Sequence, residues 1–227
     1  MNTVSAFFEK LGPDMVKYTV DHVYLTFVAI AIAVGIAVPL GVYLTRTRWP
    51  WLASVCLAVA GVIQTVPTLA LIAYIVFFFM LASLPTIGTT PGIVALVLYA
   101  LLPILRNTYT GIRQVDPAII EVATGMGMTR REILFKVELP LSLPVIMAGV
   151  RISTVWTIGI AALCGLIGAG GLGELMFRGL RSLPRTADYL LAGTVPATIL
   201  ALLADTLLGA FERWLTPPGL REDAGRA

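Results

Sequence analysis

The residues of this chain that could do chemistry gather between Asp116 and Pro140. The stretch EVATGMGMTRREILFKVELP, Glu121 to Pro140, holds three acidic and three basic side chains between long apolar runs. Asp116 suits an N-cap, and Pro117 has its φ preset for the first helical position. Ile119 to Thr124 makes about two turns of helix. Gly125 and Gly127 can take the left-handed conformations that end a helix at little cost. Thr129 and Glu132 match a T-x-x-E capping box, and Glu132 with Lys136 forms an i,i+4 pair in the favourable order. Ile133, Leu134 and Val137 make a narrow apolar stripe, and Leu139-Pro140 is expected to stop the second helix. The chemistry such a unit offers is binding. It can lie on a bilayer as an amphipathic loop, or it can dock on a cytoplasmic partner. Surface-lying helices favour a wide apolar face opposite a lysine-rich one. Here the stripe is short and the charges surround it, which favours docking.

Other residues offer less. GAGGLG, with Gly168, Gly170, Gly171 and Gly173, fits G-x-G-x-x-G literally. A dinucleotide site needs that motif between a strand and a helix. Here it follows an apolar span, so close packing or a flexible turn is expected. No G-x-x-x-x-G-K-[ST] is present, so this chain supplies no phosphate cradle. His22 is the single histidine, which removes bis-histidine haem spans, most histidine proton relays and Ser-His proteolysis. Cys56 and Cys164 lie in apolar runs and read as small buried hydrophobes. No catalytic residue, metal-ligand set or bound cofactor is expected, and the chain is not read as an enzyme.

Arg151 and Asp205 are the charges deepest in apolar segments. They either pair directly or snorkel separately to the interface. Gln64, Thr65 and Pro67 interrupt another apolar helix, as a structural kink or as a pore-lining or gate position. Tyr74 and Phe77 to Phe79 could cage a quaternary ammonium. Packing and lipid contact explain those aromatics more simply.

The elements that position these residues are membrane helices. The chain is 58% hydrophobic and 13% charged, with mean hydropathy +0.90. A soluble domain carries about 25% charged residues. Spans are expected near Tyr24 to Leu44, Leu52 to Leu81, Gly92 to Leu105 continuing toward Gly111, Leu143 to Leu166, and Tyr189 to Leu208. The first is read as a permanent helix rather than a cleaved leader. Leu52 to Leu81 would be about 45 Å long if straight, against a hydrocarbon core of roughly 30 Å. One tilted helix kinked at Pro67 is preferred there to two short spans. A loop dotted with arginines is expected from the glycine run to Asp188. Five spans put the termini on opposite sides. With the island in the cytoplasm, eleven Lys and Arg lie inside and five outside. The positive-inside rule then places the N-terminus out and the C-terminus in. Residues 1–22 form an extracytoplasmic amphipathic segment, 23–214 the transmembrane domain with loop 116–140, and 215–227 a cytoplasmic tail.

Glu121-Val122-Ala123, Gly127 and Val137-x-Leu139-Pro140 resemble the EAA loop of ABC importer permeases. Every spacing fits, with Val122 for an alanine and Val137 for an isoleucine. VIQTVPTLALIA, LLPILRNTYTGI, VELPLSLPVIMAGVR and GLIGAGGLGELMFRGL resemble the osmoprotectant branch, whose substrates include glycine betaine, choline and carnitine. The likeness runs from about Tyr24 to Trp214. It implies an all-α integral membrane protein of about five transmembrane helices, with the methionine-importer-permease-like ABC importer fold, in a bacterial or archaeal cytoplasmic membrane. It implies two ATPase subunits that bind ATP and Mg, a second permease copy or paralogue, and a separate extracytoplasmic solute-binding protein, with no nucleic acid. Glu121, Ala123, Gly127, Leu139 and Pro140 would then shape a coupling loop, and Arg130, Arg131 and Glu132 would offer polar contacts to the ATPase. The glycines from Gly168 to Gly173 would form a turn beside the outer gate. An amino acid such as methionine stays open as the substrate. A secondary transporter or channel is the less favoured class, since the spans offer few polar groups at mid-membrane.

Overall fold

The computed structural model describes residues 3–182 and 186–216, with side chains from Phe7 on. Every regular element among them is helical: α1 (Thr3–Arg46), α2 (Pro50–Thr65), α3 (Thr68–Leu81), α4 (Thr89–Arg113), α5 (Pro117–Gly125), α6 (Arg130–Ile133), α7 (Leu139–Ala161), α8 (Leu172–Arg181) and α9 (Thr186–Leu215). A π-helical turn, Leu134–Glu138, joins α6 to α7, and a 3-10 turn, Leu163–Ile167, follows α7. Four helical stretches are long and apolar enough to cross a membrane: Phe7–Arg46, Thr89–Arg113, Arg130–Ala161 and Thr186–Leu215. The pair α2 and α3 makes a fifth if the two count as one broken span.

Close approach of helices holds the bundle. On α1, Leu25, Ala29, Ala33, Ala37 and Gly41 recur every four residues, and the first four are at most 1% exposed. Such a small-residue face lets another backbone come near, which replaces the missing hydrophobic drive between helices in lipid. Helix α4 takes that place: a Cβ on Gly41 would stand 2.8 Å from Thr108 Cβ. Between α4 and α7 the contact is equally tight, since a Cβ on Gly149 would stand 2.8 Å from the Pro103 carbonyl oxygen. Ser153 Oγ donates to the Ala100 carbonyl at 3.0 Å across that seam.

The structure corrects the expected helix boundaries in several places. Residues 52–81 are not one kinked helix: α2 and α3 meet at 105°. Pro67 lacks an N–H, and the residue before a proline is pushed out of the helical region. Val66 is accordingly extended, at φ −68° and ψ 127°. The corner is pinned from α4, where Gln64 Nε2 donates to the Tyr99 carbonyl at 3.0 Å and the Tyr99 hydroxyl donates to the Val66 carbonyl. Leu139-Pro140 does not stop a helix either, because the chain stays helical from Arg130 to Ala161. The π turn absorbs the proline: Leu139 N–H bonds to the Leu134 carbonyl, five residues back, so the widened turn accommodates a residue with no N–H of its own. Where an arginine-dotted loop is expected, α8 forms a short helix with Leu172 and Leu175 buried. The first half of α1 packs Leu11 and Tyr18 against Leu172, Leu175 and Ala192. Arg185, Arg221, Arg226 and most of the expected tail lie outside the described residues.

Candidate coupling site

The island at 116–138 is a corner of two helices that joins α4 to α7. Asp116 Oδ1 accepts from Ala118 N–H at 2.8 Å and starts α5, with Pro117 at its first position. The end of α5 is a Schellman motif: Gly127 N–H bonds to the Thr124 carbonyl at 2.9 Å, and Met128 N–H to the Ala123 carbonyl at 3.2 Å. Gly127 takes φ +83° to do so. Gly125 does not; it is the last residue of α5 and keeps a negative φ. One left-handed residue suffices for this corner, and the Schellman geometry assigns it to the position after the cap.

The second arm opens on the capping box. Thr129 Oγ1 accepts from Glu132 N–H at 3.3 Å, and Glu132 Oε2 accepts from Thr129 N–H at 3.0 Å. Lys136 Nζ lies 3.0 Å from Glu132 Oε1. The Thr129 backbone N–H, and next the Lys136 ammonium, hold the Glu132 carboxyl down at about 2. Linkage gives the sign: a depressed carboxyl stabilises the folded form above its ordinary value of 4.5, and that contribution fades only as pH falls toward 2. The cap is therefore intact at neutral pH. It also occupies Glu132, which is less free to contact a partner than Arg130 and Arg131, both exposed.

Burial sorts the remaining residues. Ala123 is 2% exposed and seats α5, and Ile133 is buried beneath α6. Glu121 is exposed and lines a cleft of about 560 Å³ together with Arg46, Arg113, Pro117 and Glu138. Arg46, at the end of α1, ion-pairs with the buried Glu138 of the π turn and so ties the first span to the island. Leu139 and Pro140 open α7 and are half-buried. The apolar surface that the island shows to solvent is not the stripe expected from periodicity. It comprises Val122, Met126 and Phe135, each more than 60% exposed. Phe135 stands in the π turn that joins α6 to α7.

The other residues singled out in the sequence sit elsewhere. Gly168, Gly170 and Gly171 all have positive φ and form the corner between the 3-10 turn and α8. Gly173 lets α8 press on the end of α7, since a Cβ there would lie 1.7 Å from the Ala162 carbonyl oxygen. His22 proves central to that region. Its Nε2 lies 2.9 Å from the Ile158 carbonyl, and its Nδ1 accepts from Leu172 N–H at 3.2 Å, so one buried ring joins α1, α7 and α8. Cys164 is buried and Cys56 half-buried, neither in a disulfide. Tyr74, Phe77 and Phe78 are exposed on α3. Arg151 and Asp205 pair in bidentate fashion, Nε to Oδ1 at 2.6 Å and Nη2 to Oδ2 at 2.8 Å.

Residues 37–217 match the family described as the binding-protein-dependent transport system inner membrane component. The chain belongs to this family. The candidate membrane spans agree with an inner-membrane component. Among similar curated proteins is the carnitine transport permease OpuCB of Listeria monocytogenes, 44% identical over 98% of this chain and 97% of that one. The choline transport system permease OpuBB of Bacillus subtilis is 42% identical over 97% of each chain. The osmoprotectant import permease OsmW of Salmonella typhimurium is 37% identical over 97% of this chain and 100% of its own. The fold is also that of a solved inward-facing MetNI methionine ABC transporter, at TM-score 0.78 and 25% identity over 89% of this chain and 96% of that one. This chain is therefore a permease subunit of an ABC transporter, and membership implies an ATPase and a binding protein as partners. Sequence reasoning missed His22 as a three-helix tie and Gly209 as a seat for Arg151, whose Nη1 would stand 3.0 Å from a Cβ there. The first had no local signal. The second had one, because Asp205, Gly209 and Glu212 share a helix face.

Proposed function

We propose that this permease imports a quaternary-ammonium osmoprotectant such as glycine betaine, choline or carnitine. The observation that carries the reading is near-full-length identity of 37–44% to permeases named for carnitine, choline and osmoprotectant transport. Two separate ATPase subunits bind ATP and Mg and hydrolyse the nucleotide. Their closure acts on the island, with Glu121 and Gly127 setting its shape and Arg130 and Arg131 offering charge. A second permease copy or paralogue completes the membrane unit, and a separate binding protein delivers substrate. The island and C-terminus face the cytoplasm and the N-terminus faces out, as the lysine and arginine distribution favours. Import of an amino acid such as methionine is the second reading, favoured by the likeness to the methionine transporter at the lower identity of 25%. Purified binding protein from the same operon should bind glycine betaine, choline or carnitine; affinity for none of them, or for methionine alone, would contradict the first reading.

Within this reading the corner at Pro67 belongs to the moving path. Gln64→Leu removes the donor that ties the corner to α4. Loss of one such bond costs about 0.5–1.5 kcal/mol, too little to unfold the chain. Uptake should fall several-fold with membrane abundance unchanged, and unaltered uptake would remove the corner from the transport path.

A further inference from the structure

The cluster around Arg151 is built beyond what a tie between two helices needs. Asp205, Gly209 and Glu212 follow one face of α9. A Cβ on Gly209 would stand 3.0 Å from Arg151 Nη1, so that glycine makes room for the guanidinium. Arg151 Nη1 also lies 3.8 Å from Glu212 Oε2. Two carboxylates face one guanidinium, which leaves the cluster with a net charge of −1. The side chains of Arg151 and Asp205 are 36% and 40% exposed, although Arg151 stands about 18 Å along α7 from Leu139. Charges within an apolar span pair with one another or line water or a cavity. A cavity of about 340 Å³ does open there, lined by Arg151, Ile152, Val155, Trp156, Asp205 and Glu212. Its volume falls in the range of roughly 300–1,000 Å³ typical of small-molecule sites. Trp156 is 55% exposed and borders the cavity beside the excess negative charge.

We infer that this cavity between α7 and α9 is a transient site for a quaternary-ammonium group on the translocation path. Trp156 offers its ring face, Asp205 and Glu212 supply the negative field, and Arg151 keeps the two carboxylates from repelling each other. An indole face and an anionic field are the two features that attract a cation with no N–H to donate. Because α7 is continuous with the island through the π turn, movement of the island would move Trp156 and Arg151 directly. The ligand named here rests on the osmoprotectant reading above; the sign of the site does not.

The test uses the complete transporter in membranes. Ile152→Cys is labelled either with a thiosulfonate bearing a trimethylammonium group or with one bearing a sulfonate, and the labelling of the parent chain's two cysteines is subtracted. The cationic reagent should react at least about tenfold faster, as expected for a cleft of one charge sign, and Glu212→Gln should bring the two rates together. Choline uptake at limiting concentration should fall roughly three- to thirtyfold in Trp156→Ala and less in Trp156→Phe. Equal rates for the two reagents, no reaction with either because lipid or a second permease covers the face, or undiminished choline uptake by Trp156→Ala would overturn the site. A cation preference in labelling together with a binding protein that takes no quaternary ammonium would overturn the ligand through the substrate reading.

Discussion

Gly127→Val should lower uptake by about tenfold or more while the chain remains folded in the membrane. Gly127 sits at φ +83° with no atom near its absent Cβ, so the obstacle is backbone conformation alone. A β-branched residue held in that region costs on the order of 1–3 kcal/mol. The corner can escape the cost by turning, which redirects α6 relative to α5. Spans and core are untouched, and the loss therefore appears in coupling. ATP hydrolysis would persist without uptake, or the ATPase would no longer copurify. Glu121→Lys, which reverses the exposed carboxylate lining the cleft beside α5, should give the same phenotype. Gly125→Ala is the control, since Gly125 is helical and has open space around it. Uptake, hydrolysis and membrane abundance measured on the three variants decide the matter; equal damage from Gly125→Ala and Gly127→Val would contradict the role given to the left-handed turn.

Gly173→Ala should be the most damaging methyl addition among the described glycines. The new carbon would stand 1.7 Å from the Ala162 carbonyl oxygen and 2.5 Å from its carbon, and backbone cannot step aside as a side chain can. Opposite it, Gly165 is confined as well, since a Cβ there would lie 2.7 Å from Glu174 N. Separating α8 from the end of α7 would also pull Leu172 N–H from the His22 ring. Overpacking typically costs about 1–3 kcal/mol, and a clash against backbone belongs at the upper end of that range. Yield and melting temperature in detergent should both drop, whereas Gly61→Ala, with nothing within 4 Å, should be neutral or mildly stabilising. A Gly173→Ala protein that melts like the parent would refute the packing described for the glycine corner.

Local chemistry made the island legible. Asp116, the box formed by Thr129 and Glu132, and the pair of Glu132 with Lys136 are interactions between near neighbours, so the sequence alone specifies them. What it left open was decided by contacts between distant segments. The corner at Pro67 became a 105° bend because Tyr99 and Gln64 meet across α2 and α4. The helix expected to stop at Pro140 continues because a π turn accommodates a proline as well as a break does. Arg151 and Asp205 presented pairing and snorkelling as alternatives. Gly209 supplied the space that lets them pair, and only the packing of α7 on α9 shows it. The small-residue stripe from Ala29 to Gly41 was written at a strict four-residue period, and it is legible once the helix it faces is known.

In the proposed function the island receives an ATPase subunit. Met126, 71% exposed on the corner, reports on it most directly. A photo-reactive benzoylphenylalanine at that position should, in membranes holding the assembled transporter, give a cross-linked product of this chain with a P-loop ATPase subunit. The same group at Phe78, 63% exposed on α3, should not. An ATPase adduct from position 126 and none from position 78 is the predicted result; adducts from position 126 with lipid alone would contradict the account.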